Sequence, residues 1–123
     1  MKKLGFIAFL LLVFASCVPD IDRVEEPDNL IERDKMVLVM TDLVKTESHI
    51  INEYPRLPDY FKAMVKSGDV VLKEHKVSRE DFENSMDYYA SRQEEMIEIY
   101  DEVLNNLSKE LGEIQTELQE ENK

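Results

Sequence analysis

Apart from its carboxylates, this chain has few side chains suited to covalent or acid–base chemistry. It has one cysteine, Cys17, and two histidines, His49 and His75, which lie in different expected helices. Neither histidine belongs to a zinc motif of two histidines four apart around a glutamate. The chain also lacks a nucleophile-elbow serine and a glycine-rich phosphate loop. We therefore expect a protein that is not an enzyme, with no catalytic residue, no metal site and no cofactor.

Cys17 closes an apolar run that begins near the N-terminus. Two lysines precede the apolar residues 4–14, and Ala15 and Ser16 come directly before the cysteine. A basic start, an apolar stretch of about 7–15 residues and small residues before a cut site are the three parts of a secretory signal peptide. The run is too short for a membrane-spanning helix, which needs about 20 apolar residues.

Small residues followed at once by cysteine resemble the lipobox of bacterial lipoproteins, in which the thiol is acylated and the chain is cut just before it. Phe14 departs from that pattern, which usually has leucine there, so an ordinary cleaved signal and a buried structural cysteine remain alternatives. Lipidation explains why a secreted chain has a single cysteine. We expect residues 1–16 to be a lipoprotein signal peptide and Cys17 to carry the lipid anchor. The expected location is the cell envelope, at the outer membrane, on its periplasmic face or at the cell surface.

Residues 17–29 read as the lipidated cysteine followed by a flexible, acidic linker. Two prolines and many charges favour an extended chain over a packed one. The acidic residues are also similar to a surface-export signal of some Bacteroidota lipoproteins, with a solvated tether as the alternative. The formal charge of −12 makes nucleic acid or an anionic lipid surface a poor partner.

Residues 30–123 form the expected folded domain, an all-α bundle of three to four helices. From Arg33 to about Glu53, apolar residues at helical spacing predict a core-facing first helix. Pro55 and Pro58 are expected to end it, with Asp59 capping a second helix that frays or kinks at Gly68. No segment alternates apolar and polar residues as a strand would.

Two capping-box patterns predict the remaining helices. Ser78 opens a short helix, and Ser91 is expected to cap the last and longest one, with a break near Ala90. In that last helix, apolar residues recur at steps of three and four, which is the heptad pattern of a coiled coil. We call these residues the heptad stripe: Ile97, Tyr100, Leu104, Leu107, Leu111, Ile114 and Leu118.

The heptad stripe has two candidate packing partners, the first helix of the same chain and a helix of another molecule. Its upper half is expected to pack on the first helix, as in a monomeric bundle. The part beyond Leu111 is expected either to fold back in the same way or to protrude and meet a second copy or another partner. Gly112 marks a plausible place for that change.

A compact block, Phe82-x-x-Ser85-Met86-x-Tyr88-Tyr89, lies between the two capping boxes. With the lipobox, a lead-in before the first helix and Asp42 in that helix, it resembles a small lipoprotein family of Bacteroidota, the domain of unknown function 4296. The resemblance covers about residues 27–107 and implies a helical envelope lipoprotein, without assigned catalytic residues. The matching residues are Pro27, Leu30, Ile31, Asp34, Lys35, Met36, Asp42, Phe82, Ser85, Tyr88 and Tyr89.

Helical spacing places Phe82, Met86 and Tyr89 on one face, with Ser85 beside them. A buried tyrosine ring needs a partner for its hydroxyl, and Asp42 is the expected acceptor. The alternative is that the block is an exposed aromatic patch for a partner protein.

The function we expect is non-enzymatic binding or scaffolding through helical faces. We expect the protein to contact the membrane through the anchor at Cys17 and to bind another envelope protein. Self-association through the C-terminal helix is a further expectation. A small-ligand binder with a pocket between helices is the alternative, and an unrecognised hydrolase is a third.

Overall fold

The computed structural model describes residues 23–121, and these form four helices with no strand among them. The helices are α1 (Arg33–Glu53), α2 (Leu57–Glu74), α3 (Arg79–Ala90) and α4 (Gln93–Glu121). An irregular stretch, residues 23–32, precedes α1, and we call it the lead-in segment. The all-α fold with a long C-terminal helix is thus confirmed. Within residues 23–121, no helix combines the length and the apolar character needed to cross a membrane.

α1 is the central helix and packs against both α2 and α4. Its bounds agree with those expected from the apolar spacing. Met36 and Met40 are buried, and so is Val39, which lies beside them on the helix. A helix with two neighbours buries a face wider than a single apolar stripe, which explains the burial of Val39.

α2 begins earlier than the sequence indicates and is one continuous helix. Arg56 precedes its first residue and Pro58 lies in its first turn, so Asp59 is inside the helix and the prediction that it caps α2 is wrong. Proline fits a first turn because its missing N–H has no partner there. The helix also continues without a break through Gly68, where a Cβ would lie 3.8 Å from the side chain of Leu43 on α1.

Lys76 ends α2 in a left-handed conformation, with φ of 55°. The Lys76 N–H donates to the Lys73 carbonyl at 3.0 Å, and the Val77 N–H donates to the Leu72 carbonyl at 2.9 Å. This pair of bonds is a Schellman motif, which usually has glycine where this chain has lysine. Val77 and Leu72 are both buried, so the turn also adds two side chains to the core.

The prediction that Ser78 caps the short helix is confirmed, and the prediction that Ser91 caps the last helix is wrong. Ser78 precedes α3, and its hydroxyl accepts a hydrogen bond from the Asp81 N–H at 3.0 Å. Ser91 instead ends α3, and α4 starts only at Gln93. The expected break between the two helices is present at Ser91 and Arg92.

α4 runs in the same direction as α1, since Arg33 binds Glu102 at 2.6 Å and Lys45 binds Glu110 at 3.2 Å. Its buried residues are Ile99 and Val103, which are not members of the heptad stripe. The prediction that the upper stripe packs within the bundle is therefore wrong for Ile97, Tyr100 and Leu104, which are exposed, whereas Leu107 is partly buried against the core.

The hydrophobic core draws on α1, α2, α3, α4 and the lead-in segment. Its members extend along α4 only as far as the partly buried Leu107. Every residue from Leu111 to Glu121 is exposed, so the end of α4 lies outside the core. The buried members are Ile31, Met36, Val37, Val39, Met40, Leu72, Val77, Tyr89, Ile99 and Val103.

Candidate functional site

The block that resembles the family motif holds the lead-in segment against the bundle. The Ser85 hydroxyl accepts from the Ile31 N–H at 2.9 Å, and the Tyr89 hydroxyl donates to the Ile31 carbonyl at 2.7 Å. Both side chains are buried, as is Ile31 itself. The two backbone groups of one lead-in residue thus obtain their hydrogen bonds from two side chains on neighbouring turns of α3.

A second such pair holds the lead-in segment at Val24. The Val24 N–H donates to the Ser91 hydroxyl, and the Arg92 guanidinium donates to the Val24 carbonyl, each at 3.1 Å. The guanidinium also lies 3.6 Å from the centre of the Tyr88 ring. Residues 23–29, which the sequence assigns to the linker, therefore begin to contact the domain at the start of α4.

The structure places the aromatic block in the core and not on an exposed patch. Tyr89 is 3% exposed, and Phe82 and Tyr88 are partly buried against the same core. Burial raises the pKa of the Tyr89 hydroxyl, which favours the protonated form that donates to Ile31. The predicted bond from tyrosine to Asp42 is wrong because the backbone carbonyl of Ile31 takes the hydroxyl proton.

Asp42 instead contacts Lys45, also on α1, and His75 at the end of α2. Its carboxylate lies 2.7 Å from Lys45 Nζ and 2.8 Å from His75 Nε2. Partial burial acts to raise the pKa of Asp42, but the hydrogen bonds from Lys45 and His75 outweigh it, and the pKa is lowered. Lys45 continues to Glu110 on α4, so one polar array links α2, α1 and α4.

A shallow groove of about 250 Å³ lies between α1 and α4, next to this array. Leu38 supplies its apolar wall, and Asp42, Lys109 and Glu110 supply charge. It is smaller than the range of about 300–1,000 Å³ typical of small-ligand sites.

Metal chemistry finds no support in the described part of the chain. Residues 23–121 contain no group of three histidine, cysteine, aspartate or glutamate side chains placed to hold a metal ion. His49 lies on the surface, 3.6 Å from Glu53, while His75 belongs to the Asp42 array. Cys17 and its expected lipid lie outside the described residues.

Most of the heptad stripe is on the surface. Leu104, Leu111 and Ile114 are 59%, 57% and 52% exposed, and Ile97 is similar. Only Leu107 is partly buried against the core. The stripe lies about a quarter-turn around α4 from the packed residues Ile99 and Val103, at 100° per residue.

Sequence reasoning missed Ser91, Arg92 and His75 as members of these contacts. Ser91 begins a capping-box pattern, which predicts a local role and gives no indication of its hydrogen bond to Val24, 67 residues earlier. Arg92 follows Tyr88 by four residues, and that helical spacing is a signal for a guanidinium over an aromatic ring. His75 had no local signal, because its partner Asp42 lies 33 residues earlier.

Comparison with known proteins gives one result. A search of curated proteins and a search of solved structures each returned no match. A family model, described as a domain of unknown function (DUF4296), matches residues 27–113. The match spans the lead-in contacts of Ile31, the Asp42 array and α4 to just beyond Gly112. The chain therefore belongs to the DUF4296 family.

Proposed function

We propose that this protein is a lipoprotein of the cell envelope that binds or scaffolds another envelope protein through its helical faces, without catalysis. The observation that carries the binding role is the exposed heptad stripe of α4. Contiguous exposed apolar surface on a small protein marks an interaction site, because isolated exposed apolar residues do not align in this way.

The membrane side of the proposal rests on the signal-like residues 1–16 and on Cys17. Several acyl chains anchor a protein firmly where a single one is marginal, at about 0.8 kcal/mol per buried methylene. The hydrogen bonds at Val24 give the tether a defined point of attachment at the start of α4.

The anchor is tested by Cys17→Ser in cells that process lipoproteins. The variant is expected to leave the membrane fraction or to accumulate as the longer precursor, and to lose labelled fatty acid. Wild-type protein without lipid label would refute the anchor.

The binding role is tested by crosslinking in membranes with two matched variants. Leu111→Glu places a charge on the heptad stripe, while Asn105→Glu places the same charge on another exposed face of α4. We expect the crosslinked products of the wild type to survive Asn105→Glu and to be lost in Leu111→Glu. Equal products from both variants would contradict binding through the stripe.

Small-ligand binding is the second candidate, and the groove between α1 and α4 favours it. Asp42 and Glu110 line this groove and would supply carboxylates for a cationic ligand group. Leu38→Trp is expected to fill the groove and abolish any thermal stabilisation by candidate ligands. Ligand stabilisation that persists in Leu38→Trp would exclude this site.

A further inference from the structure

We propose that the envelope protein bound by the heptad stripe is a second copy of this chain, and that the two stripes pair in parallel and in register between two molecules on one membrane. The orientation argument rests on the proposed lipid anchor, whereas the pairing itself rests on α4. The sequence steps of three and four continue from Ile97 to Leu118, which is the repeat that two helices share in a coiled coil.

The fold leaves the stripe available for this pairing. α4 uses Ile99 and Val103 to pack within the domain, whereas Leu104, Leu111 and Ile114 are each more than half exposed. The packed face lies beside the stripe, so α1 and the stripe's partner can contact α4 at the same time. Within the domain, α4 contacts α1 and α3.

Side chains that flank the stripe favour the parallel arrangement. In an in-register parallel pair, Glu110 of one copy lies near Gln115 of the other, so no like charges meet there. An antiparallel register that pairs Leu104 with Ile114 omits Ile97 and brings the two copies of Glu110 side by side. Like charges so placed are destabilising, so the parallel register is preferred.

The position of the tether favours the same orientation. Val24 is bonded to Ser91 and Arg92 at the start of α4, so the tether reaches the domain at that end of the helix. α4 has 29 residues and extends about 40 Å from there, at 1.5 Å per residue. In a parallel pair both tethers lie at one end, as two molecules on one membrane require. Confinement to a surface raises the effective concentration and favours a weak pairing.

The charge of α4 gives the pairing a distinctive salt dependence. The helix has ten acidic side chains and one lysine, so two copies repel each other at long range. Salt screens that repulsion, with a Debye length of about 8 Å at physiological ionic strength. Pairing of two copies is therefore expected to strengthen with salt, whereas docking of a basic helix would weaken.

Cysteine crosslinking in membranes tests the pairing on the full-length chain. Leu104→Cys and Ile114→Cys are each expected to form a disulfide-linked dimer, because a disulfide needs Cα atoms within about 7 Å. Asn105→Cys, on another face of α4, and the wild type with Cys17 are the controls. The dimer fraction should rise with salt.

Three results would overturn the proposal. The first is a failure of both stripe cysteines to link to themselves. The second is linkage only between Leu104→Cys and Ile114→Cys copies produced together, which would show an antiparallel pair. The third is linkage of the stripe cysteines to a different protein.

A charge variant gives an independent measure of the same contact. Leu111→Glu is expected to reduce the dimer fraction about tenfold or more, since it buries two unpaired charges at the seam. Its thermal melt should match that of Asn105→Glu, which should still form dimers. Equal dimer fractions in the two variants would also overturn the pairing. The stripe cysteines in a Cys17→Ser background separate the two proposals. Dimers that persist after the protein leaves the membrane support both the anchor and the pairing, whereas persistent membrane association refutes the anchor and leaves the pairing intact.

Discussion

The side chains of Ser85 and Tyr89 supply the two backbone hydrogen bonds of Ile31, which a neighbouring strand would supply in a sheet. One hydroxyl accepts from the N–H and the other donates to the carbonyl, at 2.9 and 2.7 Å. Buried backbone groups need such partners because an unpaired group costs about 1–3 kcal/mol. The block that resembles the family motif is therefore explained by the backbone it holds, not by a ligand.

Tyr89→Phe isolates the hydroxyl from the packing of the ring. We expect a loss of about 1–3 kcal/mol in the free energy of unfolding, because the buried Ile31 carbonyl loses its partner. Tyr89→Ala should lose about 3–5 kcal/mol, the range for a buried large aromatic side chain. Urea unfolding measures both. Tyr100→Phe, on the exposed stripe, is the control and should unfold as the wild type does.

Asp42 gives the domain an acid-sensitive contribution to stability. Its folded-state pKa lies below the ordinary value of 3.8, so in acid the unfolded chain binds this proton more readily than the folded one. The contribution is present above the ordinary pKa and is lost as the pH falls through the lowered value. The difference in melting temperature between wild type and Asp42→Asn should shrink from neutral pH to about pH 3. A constant difference over this range would contradict the role given to the array.

Lys76 adopts a backbone conformation that favours glycine. Lys76→Gly is expected to stabilise the domain by about 1 kcal/mol, because the left-handed region costs a non-glycine residue about 1–2 kcal/mol. Lys73→Gly, inside the last turn of α2, should instead destabilise it by up to about 1 kcal/mol. A higher melting temperature for Lys76→Gly and a lower one for Lys73→Gly, each against the wild type, would verify the left-handed turn. A loss of stability in Lys76→Gly would refute it.

At the scale of elements, α4 has two apolar faces with different neighbours. Ile99 and Val103 pack within the domain, and the heptad stripe lies beside them on the surface. The contacts of α4 with α1 extend to Glu110, which binds Lys45, and to the groove lined by Glu113. The last turns of the helix then extend beyond the core.

Truncation after Leu111 tests this division of α4. The shortened chain should melt within a few degrees of the full one, because no core member lies beyond Leu107. The dimer fraction should fall, because Ile114 and the residues after it are removed. A large fall in melting temperature with unchanged association would mean that the end of α4 supports the bundle and not the pairing.

At the scale of the molecule, the lead-in segment connects the expected lipid anchor to the helical domain. It is held deep in the core at Ile31 and on the surface at Val24. The tether therefore meets the domain at the start of α4, while the end of that helix lies about 40 Å away. This arrangement presents the heptad stripe along an axis leading away from the attachment point.

Loss of the hydrogen bonds at Val24 should loosen the lead-in segment without unfolding the bundle. The double variant Ser91→Ala, Arg92→Ala is expected to speed amide hydrogen exchange at Val24, with little change in the thermal melt, because this contact lies at the surface. Arg79→Ala, which removes an exposed ion pair with Asp69, is the control and should leave exchange at Val24 unchanged. Unchanged exchange in the double variant would show that other contacts hold the segment.

The sequence alone determined the all-α class, the bounds of α1, the Ser78 cap and the existence of a heptad repeat. These features depend on local propensity and on the 3.6-residue period, which fixes the residues that share a helix face. It did not determine which of two adjacent apolar faces of α4 would be buried, because that depends on where α1 lies. Tertiary structure also decided that Tyr89 binds Ile31, 58 residues away, and that Ser91 binds Val24 instead of capping α4. Packing decides which of several chemically similar groups becomes the hydrogen-bond partner, because residues so distant in sequence meet only in the folded chain.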